Sequence, residues 1–541
     1  MKIPSNPAAR EDFYLDIMQK CLVSREERRG DYTSLKSYYL FGTAPEQPPA
    51  YFNKIHPHLD QLTSFLYSAE TTRFSIATGA SVPVEEQNKT PTLTQALNDE
   101  WLNSNADQVF STALTWALVY NTSFIKLTYR NGINPYMIEP SSMGVFREDS
   151  PYSDRQEALV QVYYITKSEL YARLYSHPKR ENIVSRVTSG SRDQESEIPE
   201  AVNRIVMSQT NPTIYGNVNM ELYGMNRYKA KVAEELIEMH ELWVWNDDTA
   251  DYQVVTIASP RVIIYDRPGA SLFLKGECPF IQICPNPQYD YYWGQSEVQK
   301  MTMLQELRNT RMTEILDLLS KQVAPPKVFS GLSGILDEKY LAMNRAGSYI
   351  ASDMPGAKVD NLAPEMPGDL FEVIHEIDSM FEEVSGIGNV LSGKGESGVR
   401  SAGHASQLAR LGSSRAKKRA LIVEDSLEKV ATLYMKMMKQ YDDTHFLDSN
   451  GKKFIAEQFT NDFVVKVDAH SNSPIFTEDL KQLAFNLFKA GAIDKESLLD
   501  LVEPPMKQLL KEKLQKREAM GGGQQEQPAP KGKAEKKEGA Q

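Results

Sequence analysis

The spacing of apolar residues divides the chain into helical and strand segments. Up to about residue 130 the spacing is mainly helical, and one helix face is formed by Val109, Phe110, Ala113, Leu114, Ala117 and Leu118. Residues 124–129 then alternate as a strand does, and Asn131 with Gly132 favours a hairpin because both residues tolerate positive φ. Further strands are predicted over 160–165, 241–245, 253–258, 262–265 and 280–284.

Two amphipathic helices are predicted on either side of a Pro- and Gly-rich module at 323–368. The first follows a capping box at 296–299 and ends before Pro325 and Pro326. Its apolar stripe is Val298, Met301, Leu304, Met312, Ile315 and Leu319. The second runs from about 369 to 386, with Leu370, Val373, Ile374, Ile377, Met380, Phe381 and Val384 at helical spacing. Such a pair is a hairpin whose stripes need neighbours to bury them, as a ring of identical hairpins would provide.

The C-terminal third begins with a glycine-rich loop at 388–403 and continues as a very long helix over about 401–441. The helix has a heptad-like seam, for which an internal packing face is favoured over a free coiled coil: Ala420, Val423, Leu427, Val430, Tyr434, Met437 and Tyr441. A strand is predicted at 463–467, and short helices at 477–489 and 494–501. Residues 521–541 have no apolar pattern, and we expect residues 519–541 to form a disordered tail.

Composition narrows the class of protein. The 541 residues carry a net charge of −12, which argues against a tight DNA binder but not against a protein past which DNA slides. Three cysteines are too few for a disulfide framework. Residues 1–10 do not resemble a signal peptide, and no apolar run is long enough to cross a membrane, so we expect a soluble α+β protein that is mainly helical.

Several sequences that resemble catalytic motifs lack an essential residue. The stretch 388–395 resembles a phosphate-binding loop, but Gly395 stands where a Ser or Thr must bind Mg²⁺. The glycines at 393, 395 and 398 match a dinucleotide fingerprint without the preceding strand. His375 and Glu376 begin a zinc-protease motif, but Ser379 replaces its second histidine. We therefore expect no catalytic residue, cofactor or metal site.

Two groups of charged residues have open interpretations. Glu372, Glu376 and Glu383, with Asp378 and Glu382 nearby, predict an acidic helix face that is either simply solvated or the wall of a negatively charged channel. Lys394 and Arg400 lie in the glycine-rich loop, where they are either ordinary solvent-exposed charges or contacts to DNA phosphates. Leu391 and Val399 are the large side chains expected to anchor this loop.

Several short stretches together resemble one known family. They are residues 289–298, with Leu304, Gln305, Arg308 and Asn309 after them, then Pro325–Pro326, residues 383–387 and residues 393–403. In this order they resemble the bacteriophage portal proteins over roughly residues 10–515. The resemblance implies a portal fold with a wing (1–294), first stem helix (295–322), clip (323–368), second stem helix (369–387), tunnel loop (388–403), long kinked helix with the rest of the wing (404–475) and helical crown (476–518).

The resemblance also implies a function and partners. Portal proteins form rings, most often of twelve subunits, at one capsid vertex, where double-stranded DNA enters and leaves without sequence-specific contact. Implied partners are the terminase large subunit, a head–tail adaptor and the major capsid protein, with the need for a scaffold left open. The implied location is the virion, and the host cytoplasm during assembly. Two rival interpretations are another connector or adaptor ring and a nucleotide-dependent DNA translocase, against which Gly395 argues.

Overall fold

The structure is a computed structural model. The chain forms two compact units, residues 1–473 and residues 474–541. It describes residues 1–45, 47, 50, 52–67, 72–78, 90–130, 132–151, 156–193, 236–259, 261–323, 327–330, 358–361, 369–385, 414–441, 463–467 and 483–502. In the second unit, residues 483–489 and Lys495–Val502 are helical, which confirms the described parts of the two short helices predicted there.

Within the described residues, five helices dominate the N-terminal region: α1 (Pro7–Leu22), α2 (Arg25–Phe41), α3 (Ile55–Leu66), α4 (Thr90–Asn103) and α5 (Ala106–Tyr120). Asn6 caps α1 by accepting a hydrogen bond from the amide of Ala8, and Pro7 suits the first helical position. The predicted face of α5 is buried at Phe110, Ala113, Leu114, Ala117 and Leu118. The helical prediction for this region is therefore confirmed where it is described.

A five-stranded antiparallel sheet forms the main β-layer. Its strand order is β4 (Met143–Val145), β5 (Ala158–Thr166), β6 (Leu236–Asn246), β7 (Asp251–Ala258) and β8 (Val262–Pro268). One face packs against α1, where Tyr14, Ile17 and Met18 contact a set of strand residues that includes Val160 and Leu242. Helices α6 (Lys167–Arg173) and α7 (Arg180–Asp193) supply a second cluster around Ile165 and Val187.

Smaller strand pairings complete the β-structure of the described chain. The hairpin predicted at Gly132 is confirmed, since β2 (Ser123–Tyr129) pairs with β3 (Ile133–Ile138), and β9 (Phe280–Ile283) pairs with the other edge of β2. Lys126 of β2 joins this sheet to the five-stranded sheet through Glu241, at 2.8 Å. β1 (Phe74–Thr78) pairs with β12 (Phe463–Val467), so residues far apart in sequence meet.

Three long helices of the described chain follow β9: α8 (Glu297–Val323), α9 (Leu370–Ser385) and α10 (Ser414–Tyr441). α8 and α9 pack together, and between them β10 (Lys327–Ser330) pairs with β11 (Lys358–Asn361). The seam of α10 is buried from Ala420 to Met437, as expected of an internal packing face. The predicted tunnel loop at 388–403 and the tail at 519–541 lie outside the described residues.

The predicted apolar stripe of α8 is wrong in part. Val298, Met301 and Ile315 are buried, but Leu304 and Met312 are only partly buried and Leu319 is 37% exposed. Two polar residues, Gln305 and Arg308, occupy the middle of the buried face instead. The reason is that this face packs on backbone carbonyl and amide groups, which need polar partners when they are buried.

Candidate functional site

The start of α8 is fixed by an aromatic cluster. Tyr292 and Trp293 are almost fully buried, and the Trp293 indole donates a hydrogen bond of 2.8 Å to Glu148. The Arg28 guanidinium carbon lies 3.5 Å from the centre of the Trp293 ring, a cation–π contact. Gly294 has φ +70°, and a Cβ there would lie 2.5 Å from Cys284 Sγ. These contacts set where the helix begins.

A capping serine links α8 to α5. Ser296 is buried, its Oγ donates 2.7 Å to the carbonyl of Val119, and it accepts a 3.3 Å hydrogen bond from the amide of Gln299. The predicted cap at Ser296 is therefore confirmed. Since the same hydroxyl binds both helices, the direction of α8 depends on the position of α5.

Polar residues in the middle of α8 hold the segment that precedes α3. Gln305 Nε2 donates 3.0 Å to the carbonyl of Phe52, and Gln305 Oε1 accepts 3.0 Å from the amide of Lys54. Asn309 Nδ2 donates 2.7 Å to the carbonyl of Gly42. Each of these hydrogen bonds satisfies a backbone group in the connection between α2 and α3, which has no partner within a helix or strand. These polar positions, which contributed to the sequence resemblance, thus have a structural role.

An ion pair joins α8 to α9. Arg308 Nε lies 2.9 Å from Asp378 Oδ1, and Lys54 Nζ lies 3.1 Å from Asp378 Oδ2. Burial alone would raise the pKa of Asp378, but hydrogen bonds from Arg308 and Lys54 outweigh it and hold the pKa below its ordinary value. The sequence-based placement of Asp378 on the acidic helix face, whether solvated or a channel wall, is wrong, because this carboxylate faces two cations.

The acidic residues proposed for a channel wall lie together on the exposed side of α9. Glu372, Glu376 and Glu383 are all exposed, and their spacing of four and seven residues puts them on one helix face. Their assignment to a channel wall stays a prediction. Lys394, Arg400, Leu391 and Val399 lie outside the described residues.

A second apolar stripe remains exposed on α9. The buried residues Ile374, Ile377 and Phe381 face α8 and its surroundings, whereas Val373 (41% exposed), Met380 and Val384 (both 39%) do not. Met303 of α8 is 81% exposed. Apolar side chains at helical spacing on a long helix form a stripe that another protein surface can cover.

A buried carboxylate connects the first turn of α8 to α10. Glu297 is 1% exposed and accepts from Arg419 at 3.0 Å, from Lys300 at 3.1 Å and from the Asn286 amide at 3.0 Å. Arg419 Nε also donates 3.0 Å to Asn286 Oδ1. Glu297 and Arg419 were not singled out from the sequence, because no periodic pattern marks a pair so distant along the chain.

The described chain has few features of other site types. It contains no group of three or more His, Cys, Asp or Glu side chains arranged to hold a metal ion. None of its described helices combines the length and apolarity needed to span a bilayer.

Comparisons with known proteins place the chain in a class. The family model described as "Phage SU10 portal protein" matches residues 70–472. The neck of an empty gene transfer agent particle is similar, with 10% identity over 88% of this chain and 94% of that chain and a TM-score of 0.42. The virion of a native gene transfer agent particle is similar with 11% identity, over 91% and 93% of the two chains, with a TM-score of 0.36. No curated protein sequence matches.

The family match assigns the chain to a class, the structural proteins of phage particles. The matched residues contain the three long helices of the described chain, α8, α9 and α10. The chain belongs to the phage SU10 portal protein family. The resemblance inferred from the sequence is therefore confirmed.

Proposed function

We propose that this protein forms the portal ring at one capsid vertex, through which double-stranded DNA is packaged and ejected. The observation that carries the proposal is the family match over residues 70–472, which includes the helix pair α8–α9. A family of structural proteins also supports a role without catalysis.

The parts of a portal can be assigned to the described elements. Helices α8 and α9 are the proposed stem, and β10 with β11 belongs to the proposed clip at 323–368. The elements up to residue 294, with α10 and β12, form the proposed wing, and residues 476–518 the crown. The ion pair between Arg308 and Asp378 supports a stem that is held firmly against the wing segment at Lys54.

The exposed stripe on α9 supports ring formation. Val373, Met380 and Val384 leave apolar area in water that a neighbouring subunit would cover. In a closed ring each subunit presents this stripe to the next, so every copy is covered. Twelve subunits are proposed on the resemblance to portal proteins.

The acidic face on α9 supports a channel along which DNA slides. DNA has about one negative charge per 1.7 Å of its axis, so carboxylates at 372, 376 and 383 repel it and create no deep binding minimum. The loop at 388–403 is the proposed tunnel loop, with Lys394 and Arg400 as cations that contact phosphates without reading sequence.

The proposed partners follow from this role. The terminase large subunit docks on the clip during packaging, the head–tail adaptor replaces it afterwards, and the major capsid protein surrounds the wing. The proposed location is the portal vertex of the virion, after assembly in the host cytoplasm.

Electron microscopy and mass measurement of the purified protein test the proposal. We expect rings from the parent protein, and a loss of rings when Val373→Asp and Met380→Asp place two charges in the exposed stripe of α9. Leu102→Asp is the matched control, since Leu102 is also an exposed apolar helix residue, at 48%, but lies in α4. A parent protein that remains monomeric at micromolar concentration, or a double variant that still forms rings, would contradict the proposal.

A further inference from the structure

A cleft of about 450 Å³ lies between the first turn of α8, residues 418–422 of α10 and the segment that follows β9. Lys300, Lys418 and Arg419 line it, with amide groups from Asn286, Gln288 and Gln295. The described lining includes no acidic residue. The cleft is therefore a concave surface in which three cations and several amides converge.

The charges around this cleft do not balance. Glu297 lies behind it and contacts both Arg419 and Lys300, at 3.0 and 3.1 Å. Asp290 adds a second carboxylate at the rim, since its Oδ1 accepts a 3.3 Å hydrogen bond from the lining side chain of Gln288. The remaining excess of positive charge is that of Lys418. Lys418 is exposed and lies one residue from Arg419, whose guanidinium is committed to Glu297 and Asn286.

The paired cations and Lys418 differ in what holds them. Lys300 lies in the first turn of α8 beside Glu297, which offsets the partial positive charge of that helix N-terminus. Lys418 lies on α10 and has no ion pair within the described part of the chain. Its charge, next to the two cations that Glu297 holds in place, favours an anionic ligand in the cleft.

We propose that this cleft binds a phosphate group, and specifically a backbone phosphate of the DNA that the ring conducts. The DNA assignment rests on the proposed function, whereas the phosphate chemistry rests on the cleft alone. Lysine is a point-charge partner for phosphate, and the exposed amide of Gln295 adds hydrogen-bond donors for its oxygens. The cleft also has room for the sugars on either side of a phosphodiester.

The test uses the full-length protein in its assembled state with two probes, inorganic phosphate and a short DNA duplex. Duplex affinity is measured by fluorescence anisotropy between 0.1 and 0.5 M salt, and phosphate binding by the shift in Tm. The variants are Lys300→Gln and Lys418→Gln. The matched control is Lys429→Gln, because Lys429 is a surface lysine on α10 that pairs with Asp425 on the same helix.

Loss of one phosphate contact should weaken duplex binding about eightfold at 0.1 M salt, and the dependence on salt should become shallower. We expect this of Lys300→Gln and Lys418→Gln but not of Lys429→Gln. A phosphate-induced rise in Tm that Lys418→Gln abolishes, without a change in duplex affinity, would support the phosphate site but assign it to free phosphate.

Other results would overturn the proposal. They are equal effects of Lys418→Gln and Lys429→Gln, no response to either probe, or a Lys418→Gln defect in ring assembly alone, which would assign the cleft to a carboxylate of the next subunit. Electron microscopy of the same samples separates the two proposals. Intact rings with unchanged binding reject only the cleft, whereas phosphate binding without rings rejects only the portal assignment.

Discussion

The ion pair between α8 and α9 yields a quantitative prediction. Asp378→Asn keeps the shape of the side chain but removes its charge, so Arg308 is left with a neutral partner. The Arg308 side chain is 6% exposed, whereas Asp378 is 26% and Lys54 is 40% exposed. The stabilising contact is therefore the one between Arg308 and Asp378, and the Lys54 contact is largely screened by water.

The magnitude follows from this difference in burial. Removal of one partner from a fully buried pair costs about 3–5 kcal/mol, because the other charge is left buried and unpaired. Asp378 is partly exposed, and water can replace some of its interaction with Arg308. We therefore expect Asp378→Asn to lower the free energy of unfolding by about 2 kcal/mol. The matched control is Asp317→Asn, whose i,i+4 pair with Lys321 is exposed on both sides, and we expect less than about 0.5 kcal/mol there.

Urea unfolding at fixed protein concentration measures the free-energy change, and hydrogen exchange of the amides in Leu370–Ser385 locates it. We expect faster exchange in α9 for Asp378→Asn and no change for Asp317→Asn. Arg308→Met combined with Asp378→Leu should recover part of the loss, since apolar side chains need no charged partner. Equal stability and equal exchange for parent and Asp378→Asn would refute this reasoning.

Three further predictions concern other parts of the chain. Gly294→Ala should destabilise the protein by about 2–4 kcal/mol in urea unfolding, because a Cβ would meet Cys284 Sγ at 2.5 Å at a position with φ +70°; Gly30→Ala, with nothing within 4 Å, should instead be neutral or slightly stabilising. Burial lowers the pKa of His58 to about 4, so protonation favours the unfolded chain and stability should fall by up to about 3 kcal/mol from pH 6.5 to 4. In the His58→Gln variant the urea midpoint should change less with pH across that range. A pH dependence equal to that of the parent would contradict the role given to His58. Truncation after Met520 should leave ring assembly intact by electron microscopy, since residues 521–541 offer almost no apolar surface to bury.

Local patterns in the sequence predicted the helices and most strands well. α8 was expected to begin after the capping serine and to run to about residue 322, and its described part covers Glu297–Val323, because a capping residue acts on its own neighbours. The predicted seam of α10 is buried in its described part, because helical spacing is also a local property of the sequence. The strand pair of β1 with β12 was not predicted, since pairing between distant segments leaves no periodic signal in either one.

The candidate site was harder to predict, because periodicity shows which residues share a helix face but not what that face contacts. Asp378 and Glu376 are two residues apart and both carry a carboxylate, yet one faces Arg308 and the other is exposed. The useful signal was the pair Gln305 and Arg308, which interrupts an apolar stripe. Polar residues in a buried stripe indicate a polar partner, here the backbone around Phe52 and the carboxylate of Asp378.

The distribution of charge connects the proposed channel wall with the proposed phosphate cleft. An acidic wall acts on DNA at a distance, and at 0.1 M salt this repulsion is screened beyond about 10 Å. A cleft with Lys300 and Lys418 acts only on a phosphate that enters it. Repulsion along most of a path, with weak attraction at a few identical positions in a ring, would keep DNA centred and slow it without a deep binding minimum. The net charge of −12 is therefore compatible with the proposed DNA contact, because the proposed contacts are made by local charges and not by the overall charge.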